Sequence, residues 1–262
     1  MVTRQKSKSV VARNSYYLAR IESIKSDHPS WGYRRVWAYL RYREGYAINK
    51  KRVYTLMKEN CLLVSQMTKT RAKPNPTRSK PKTDRPNQIW GIDMTKIKVE
   101  SWGWLYLHVV LDWGSKKIVG WQLSHRSKTD DWLEALSSAV NNQFPHGIRE
   151  SDPIMLVSDN GCQPASIRFM AACRSLEVKQ IFTSYNNPKG NADTERVIRT
   201  IKEDLIWPRE WMSYQQLENA LTSWFIAYNT DYPHSSISYE TPCQYETRYL
   251  TQNTNKVSII AA

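Results

Sequence analysis

Residues 153–161 read PIMLVSDNG, and this stretch decides how the rest of the sequence is interpreted. The four consecutive apolar residues Ile154 to Val157 indicate a buried central strand, because a strand covered on both faces has no polar alternation. The strand then ends in SDNG, whose residues favour a turn. A turn explains this ending by itself, whereas a catalytic role for Asp159 requires other carboxylates that converge on it.

Two further acidic residues are candidates for that convergence. Asp93 lies near the end of a predicted strand that begins QIWGI, and Glu195 lies in a predicted helix, with 35 residues between it and Asp159. If the first strand lies beside the PIMLVS strand, the two aspartates are neighbours and the helix brings Glu195 to them. Each residue has a simpler alternative, since Asp93 could start a turn and Glu195 could pair with Arg199 at helical spacing.

Three converging carboxylates repel one another unless divalent cations lie between them. A ligand set made only of oxygen atoms suits Mg²⁺ or Mn²⁺. Two such ions, about 3.5 to 4 Å apart, activate an attacking hydroxyl and stabilise the leaving oxygen in phosphoryl transfer. The sequence therefore predicts a two-metal site made by the catalytic residues Asp93, Asp159 and Glu195. Asp112, which ends the apolar stretch VVLD, is the competing acid and is interpreted as structural.

The region from residue 87 onward has the pattern of an α/β domain. Three closely connected strands are followed by alternating helices and strands, and two helices close the order βββαβαβαα. A meander followed by parallel crossovers predicts a mixed five-stranded sheet flanked by helices. The predicted strands lie near residues 88–93, 104–113, 117–123, 153–158 and 179–183, and the helices near residues 130–142, 167–176, 191–206 and 214–228.

The net charge of +14 is concentrated at the N-terminal end of the chain. Residues 1–86 contain 21 Lys and Arg against 5 Asp and Glu, whereas residues 87–262 contain 17 against 19. Hydrophobic spacing predicts three helices near residues 9–26, 34–43 and 50–63. A helix-turn-helix-like DNA-binding domain fits this pattern, and the alternatives are a solubilising basic arm or a plain basic helical bundle. The predicted DNA contacts here are Arg34, Arg35, Lys50, Lys51 and Arg52.

The sequence predicts four successive segments along the chain. The helical domain is predicted at residues 1–64, a basic Pro-rich linker at residues 65–86, the catalytic core at residues 87–250 and a C-terminal tail at residues 251–262. Within the core, Arg199 and Lys202 follow Glu195 on one helix face and are predicted to hold DNA phosphate. Lys189, in the loop before that helix, is a further predicted phosphate contact, or the loop is an ordinary connection.

Composition excludes several classes of protein. No apolar run reaches the 18 or more residues of a membrane span, and the N-terminus lacks the apolar segment of a signal peptide. The four cysteines are scattered without a CxxC pair, so neither a zinc site nor a disulfide framework is indicated. The expected location is the cytoplasm.

Several of these motifs resemble one known family. HPSWGYRRVWAYLR, WGIDMTKI, VSDNGCQPASIRFM, NPKGNADTERVIRTIKEDL and YNTDYPHSSISYETPCQYE look like the OrfB-type DDE transposases of bacterial insertion sequences, whose catalytic core is similar to that of retroviral integrases. The resemblance covers roughly residues 14–247. It implies an RNase H-like fold with Asp93, Asp159 and Glu195 as metal ligands, and Lys202 as the basic residue two turns after the glutamate.

The resemblance also implies an activity. The expected reaction is cleavage at the element ends to expose a 3′ hydroxyl, followed by attack of that hydroxyl on target DNA, without a covalent enzyme intermediate. The expected partners are element-end and target DNA, a second copy of the chain on DNA, and a subunit from an upstream reading frame. A hydrolytic nuclease and an inactive or accessory DNA-binding protein derived from a transposase are the alternatives.

Overall fold

The computed structural model describes residues 8–64, 83, 85–148, 152–183 and 190–260. Within these ranges the chain divides into two compact units. The first unit contains residues 8–64 together with Pro233–Glu240, and the second contains the other described residues. Most of the predicted linker, including residues 65–82 and 84, lies outside the described residues. No helix in the described part of the chain is long and apolar enough to cross a membrane.

The described part of the first unit contains three helices and a 3-10 turn (Ser235–Ile237). The helices are α1 (Lys8–Asp27), α2 (Tyr33–Ala38), which continues into a π-helical turn (Tyr39–Arg43), and α3 (Lys50–Glu59). The three helices occur where the sequence predicts them, and the predicted N-cap Asn49 accepts a hydrogen bond from the amide of Lys51 at 2.8 Å. Their shared core consists of buried apolar side chains, among them Ile21, Ile24, Trp31, Val36, Leu40, Val53 and Met57.

The segment Pro233–Glu240 belongs to the first unit although it follows the catalytic helices in sequence. Its Tyr239 ring stacks on Tyr42, with centroids 6.1 Å apart, and meets Trp37 edge-on at 5.5 Å. The ammonium group of Lys50 lies 4.5 Å from the Trp37 ring centre and 5.9 Å from that of Tyr239. The first unit is therefore completed by residues near the C-terminal end of the range predicted for the catalytic core.

The second unit contains the predicted mixed sheet of five strands. The strands lie side by side in the order β3-β2-β1-β4-β5, in which β1, β2 and β3 are antiparallel and β1, β4 and β5 are parallel. The first strand is central and pairs with the PIMLVS strand, which is the condition that the sequence analysis set for bringing the two aspartates together. The strands are β1 (Ile89–Val99), β2 (Gly103–Asp112), β3 (Ile118–Ser124), β4 (Ile154–Ser158) and β5 (Val178–Phe182).

Five helices accompany the sheet. They are α4 (Thr129–Gln143), α5 (Ile167–Ser175), α6 (Ala192–Ile201), which continues into a π-helical turn (Lys202–Ile206), α7 (Tyr214–Asp231) and α8 (Pro242–Ile260). The helix α8 includes residues 251–260, where the sequence analysis expected a tail. Its start has a capping box, because Thr241 Oγ1 accepts from the amide of Gln244 and the Gln244 side chain accepts from the amide of Thr241.

Alternation along β1 decides which helix faces the candidate site. Trp90 and Ile92 lie in the core that includes side chains of α4 and α5. Gly91, one position away, faces α6 on the opposite side of the sheet. Asp93 shares the face of Gly91, so its carboxylate is on the α6 side of the sheet.

Candidate active site

The register of β1 and β4 relates the positions of the two aspartates. The parallel ladder between β1 and β4 pairs Ile89 with Met155, Trp90 with Leu156 and Gly91 with Val157. Each pair is separated by 66 positions, and the same offset relates Asp93 to Asp159. The ladder ends at Gly91 and Val157, and continuing its offset for two residues sets Asp159 level with Asp93. Residues at one level of adjacent parallel strands point to the same face, which for Asp93 is the α6 side.

Asp159 also forms the turn that the sequence SDNG suggests. Its Oδ1 accepts a hydrogen bond from the amide of Gly161 at 3.0 Å, and the Asn160 side chain donates to the carbonyl of Thr183. Asp159 itself is exposed at the end of β4. The turn and the carboxylate at its start are therefore parts of one local structure and do not exclude each other.

Close packing of α6 against β1 positions Glu195. The Asn191 side chain donates to the carbonyl of Ile92 at 3.2 Å, and Trp113 Nε1 donates to Thr194 Oγ1 at 3.1 Å. A Cβ atom on Gly91 would overlap Thr194 Oγ1 and Trp113 Nε1. The absence of a side chain at Gly91 thus permits the approach that holds Glu195, in the first turn of α6, beside the sheet.

The electrostatics of Asp93 show that other carboxylates are near. Burial first, and then the charges of Asp159 and Glu195, raise the pKa of Asp93 to about 6. The amide of Met94, which donates to Asp93 at 2.7 Å, and the charge of Lys202 oppose this rise in pKa. The three predicted carboxylates therefore interact, and the ionised form of Asp93 is disfavoured in the protein alone.

An open cleft of about 450 Å³ lies over this face of the sheet. Asp93 and Glu195 both line it, whereas Asp159 is not part of the lining. Among the residues that the structure describes, no three His, Cys, Asp or Glu side chains are close enough together to hold one metal ion. The remaining side chains of the lining are Met94, Ile198, Arg199, Lys202 and Trp207.

Three models of protein families match the sequence. A model described as integrase core domain matches residues 83–188, and a second model with the same description matches residues 176–242. A model described as HTH-like domain matches residues 15–71. Transposase InsD of the insertion element IS2A/D/F/H/I/K from Escherichia coli is 28% identical over 235 residues, which are 87% of this chain and 77% of InsD.

This chain belongs to the DDE transposases of bacterial insertion sequences. The transposase has an integrase-type catalytic core and an N-terminal HTH-like domain. The InsD proteins of the elements IS2D and IS2H from Escherichia coli strain K12 match with the same identity and coverage. These matches span both units of the transposase.

A solved structure supports the same fold. It is the cryo-EM structure of the simian T-cell lymphotropic virus intasome in complex with PP2A regulatory subunit B56 gamma. One of its chains aligns with a TM-score of 0.50 at 19% identity, over 87% of the transposase and 74% of that chain. At this identity the likeness concerns the fold, which is the RNase H-like arrangement that the sequence predicts.

The other acids and bases near α6 have defined partners in the transposase. Arg199 donates to Glu203 at 2.6 Å, so its ion pair is with a residue that follows it and not with Glu195. Lys116 forms an ion pair with Asp193 at 2.9 Å, which ties the start of α6 to the turn after β2. Lys202 is partly buried beside the cleft, and Lys189 lies outside the described residues.

Asp112 has the structural role that the sequence analysis assigned to it. It is buried opposite Trp90, three register positions from the partner of Asp93. Burial raises the pKa of its carboxyl group, and hydrogen bonds from its neighbours oppose that rise. The donors are the amides of Asn87, Gly114 and Ser115 and the hydroxyl of Ser115.

The predicted DNA-contacting cations of the first unit have different environments. Arg34 and Lys51 are exposed. By contrast, Arg52 donates to Asn14 Oδ1 at 2.9 Å and lies over the ring of Tyr17. Lys50 lies over Trp37, and Arg35 lies 5.7 Å from the ring centre of Trp31. These contacts stabilise the first unit and leave Arg34 and Lys51 as the two predicted cations with open surface.

Sequence reasoning missed two residues of this site. Gly91 is embedded in the quoted motif WGIDMT, and its glycine could have indicated a close approach of another element to the strand. Trp207 lines the cleft of the transposase although it lies 12 positions after Glu195. Its position depends on the π-helical turn, for which the sequence contains no recognised signal.

Proposed function

We propose that this transposase cleaves DNA at the ends of its insertion sequence and joins the exposed 3′ hydroxyl to target DNA through Asp93, Asp159 and Glu195. The observation that carries the proposal is the register of β1 and β4, because its offset of 66 positions, continued for two residues, sets Asp159 level with Asp93. The integrase-type core supports a reaction at phosphodiester bonds. The raised pKa of Asp93 supports a site completed by a cation.

The donor set fits divalent metal ions. The three groups are carboxylates, and hard oxygen ligands suit Mg²⁺ or Mn²⁺ better than softer metals. An ion held by Asp93 and Glu195 in the cleft would favour the ionised form of Asp93, which burial disfavours in the metal-free protein. When bound, two such ions supply charge neutralisation and an activated oxygen nucleophile for phosphoryl transfer. Asp159 would be the third carboxylate of this set.

The chain's own groups orient the DNA for an in-line displacement. In strand transfer the 3′ hydroxyl oxygen of the element end forms a new bond to a target phosphorus, and the bond from that phosphorus to its own 3′ oxygen breaks. One phosphodiester replaces another, so no external energy source is required. Lys202, at the cleft, is placed to hold a phosphate beside Asp93, and Arg199 can contribute when it leaves Glu203.

The first unit supplies DNA binding in this proposal. Its excess of positive charge provides affinity for the phosphate backbone, and Arg34 and Lys51 are its exposed predicted contacts. Transposition brings two element ends together, so we expect at least two copies of the chain on DNA. The same proposal places the protein in the bacterial cytoplasm at the nucleoid, and a subunit from an upstream reading frame would complete end recognition.

The test compares wild-type protein with Glu195→Gln on labelled DNA that carries the element's terminal sequences, in Mg²⁺ or Mn²⁺. Glu210→Gln is the matched control, because it removes an exposed carboxylate that follows the same helical segment and does not line the cleft. Products joined to target DNA are expected with wild type and with the control. With Glu195→Gln we expect the rate of joining to fall by about 1,000-fold or more, because residues that act together at a reacting centre have effects of this order.

Other outcomes select the alternative functions. Hydrolysed DNA without joined products would favour a nuclease. Binding without cleavage by any of the three proteins would favour an accessory DNA-binding protein, or a requirement for the upstream subunit.

A further inference from the structure

Trp207 is a large apolar side chain that remains exposed at the mouth of the catalytic cleft. Its relative exposure is 64%, and it lines the cleft together with Asp93, Glu195, Arg199 and Lys202. A tryptophan contributes a wide apolar surface, and such residues are usually packed or engaged by a partner. The function described above assigns no role to this ring.

A π-helical turn brings Trp207 to the face of the helix that carries Glu195. In an α-helix, positions i, i+4, i+7 and i+11 share one face, which for Glu195 includes Arg199, Lys202 and position 206. The turn Lys202–Ile206 contains one additional residue, and the amide of Trp207 donates to the carbonyl of Lys202 at 2.8 Å. Trp207 therefore occupies the angular place of position 206 and faces the cleft.

The backbone under Trp207 is fixed on both sides. The preceding residues Leu205 and Ile206 are buried, and Trp211 Nε1 donates to the carbonyl of Ile206 at 3.2 Å. Pro208 follows, and its ring restricts the chain immediately after Trp207. The indole is thus presented from a rigid support, which lowers the entropy lost when a ligand stacks on it.

We propose that Trp207 stacks on an unpaired base at the end of the transposon DNA, next to the phosphate that reacts. This inference rests on the proposed function. An aromatic ring beside a phosphate-binding lysine is the combination that holds single-stranded nucleic acid, because the ring takes the base and the cation takes the backbone. A base within a duplex is covered by its neighbours on both faces, so only a base that has left the stack can meet the indole.

The charges around the ring favour nucleic acid over an apolar segment of another protein. Lys202 and Arg199 lie in the same cleft and attract phosphate. Asp93 and Glu195 lie there too, where the proposed cations would offset their charge. Stacking on Trp207 would hold the strand end open and fix its terminal phosphate with respect to the carboxylates.

The test measures binding of DNA ends in the Glu195→Gln background, so that it does not depend on catalysis. Duplexes carrying the element's terminal sequence are prepared with intact bases or with a single abasic site at each of the last few positions in turn. Base stacking on an aromatic residue corresponds to roughly a 5-fold to 150-fold change in affinity. We expect the protein with Trp207 to lose about tenfold in affinity when one particular base is absent.

The variants separate stacking from other effects. Trp207→Ala is expected to bind the intact end about tenfold more weakly and to be indifferent to the same abasic site, whereas Trp207→Phe should retain most of the discrimination. Trp102→Ala is the control, since Trp102 is 53% exposed at the β1–β2 hairpin and does not line the cleft. An unchanged melting temperature checks folding of each variant.

The proposal is overturned if Trp207→Ala remains as sensitive to abasic sites as the parent, or if the parent fails to distinguish any abasic end from the intact one. Failure of the proposed function would give a different result. Wild-type protein would then form no joined product, while the effect of abasic sites on DNA affinity would remain as expected for the parent and the Trp207 variants. Loss of binding to a second protein chain but not to DNA would assign Trp207 to a protein interface instead.

Discussion

At the scale of single residues, Asp93 connects the stability of the protein to its chemistry. Its carboxyl group is held between a buried strand and the start of α6, and burial together with two other carboxylates raises its pKa to about 6. The folded protein therefore binds this proton more tightly than the unfolded chain does. The contribution to stability is fully present below about pH 4 and is lost as the pH rises through 6.

This loss of stability with rising pH leads to a prediction for Asp93→Asn. At pH 7.5 without divalent ions, the variant should be more stable than wild type by about 2 kcal/mol, because the wild type must keep an ionised carboxylate in a partly buried place. At pH 4 the difference should vanish. The measurement is urea unfolding in a chelator at both pH values, with Glu210→Gln, an exposed acid, as control.

Addition of Mg²⁺ or Mn²⁺ extends the same experiment. The metal should raise the unfolding free energy of wild type and leave Asp93→Asn almost unchanged, since a ligand that binds only the folded state stabilises it. Equal stabilisation of both proteins would show that Asp93 is not a ligand.

At the scale of elements, the sequence predicts well those strands and helices that have a regular spacing of apolar residues within the segment itself. The strands and most helices follow from apolar runs and alternation, and the neighbouring positions of Asp93 and Asp159 follow once β1 and β4 are paired. The π-helical turn before Trp207 could not be predicted, because it is fixed by burial of Leu205 and Ile206 and not by a local signal. The helix α8 was missed because its residues are largely polar, although the capping box at Thr241 was visible.

The packing of α6 on β1 predicts the effect of Gly91→Ala. The added methyl group would overlap Thr194 and Trp113, so α6 must move away and carry Glu195 with it. We expect a loss of about 1–3 kcal/mol in unfolding free energy and a loss of strand transfer larger than that destabilisation explains. Gly32→Ala is the control, because a methyl group there meets no atom within 4 Å. Full activity in Gly91→Ala would contradict this account of how Glu195 is positioned.

At the scale of the whole molecule, the two compact units differ in charge and in their predicted roles. The excess of positive charge lies in the N-terminal third, whereas the carboxylate site lies in the second unit. The sequence predicts this division from composition. It does not predict that Pro233–Glu240 completes the first unit, because the contacts of Tyr239 with Trp37 and Tyr42 join residues about 200 positions apart, which no local pattern encodes.

Two neighbouring cations of the first unit, Lys51 and Arg52, are predicted to have different effects when they are replaced. Lys51→Gln should weaken DNA binding several-fold and reduce the slope of log affinity against log salt by about 1, without a change in stability, because Lys51 is exposed. Arg52→Gln should instead lower the unfolding free energy by about 1 kcal/mol, since it loses its bond to Asn14. Titrations of DNA at several salt concentrations and urea unfolding measure the two effects. Identical salt slopes for Lys51→Gln and wild type would remove Lys51 from the DNA surface.

The most direct measurement of the central claim is strand transfer by Asp159→Asn. An asparagine still accepts the hydrogen bond from Gly161 and preserves the turn, so a structural role alone predicts activity close to that of wild type. Asp152→Asn, in the exposed segment before β4, is the control. If Asp159 acts with Asp93 and Glu195, joined products fall by about 1,000-fold or more while folding and DNA binding are unchanged. Joining within tenfold of wild type would contradict the three-carboxylate site.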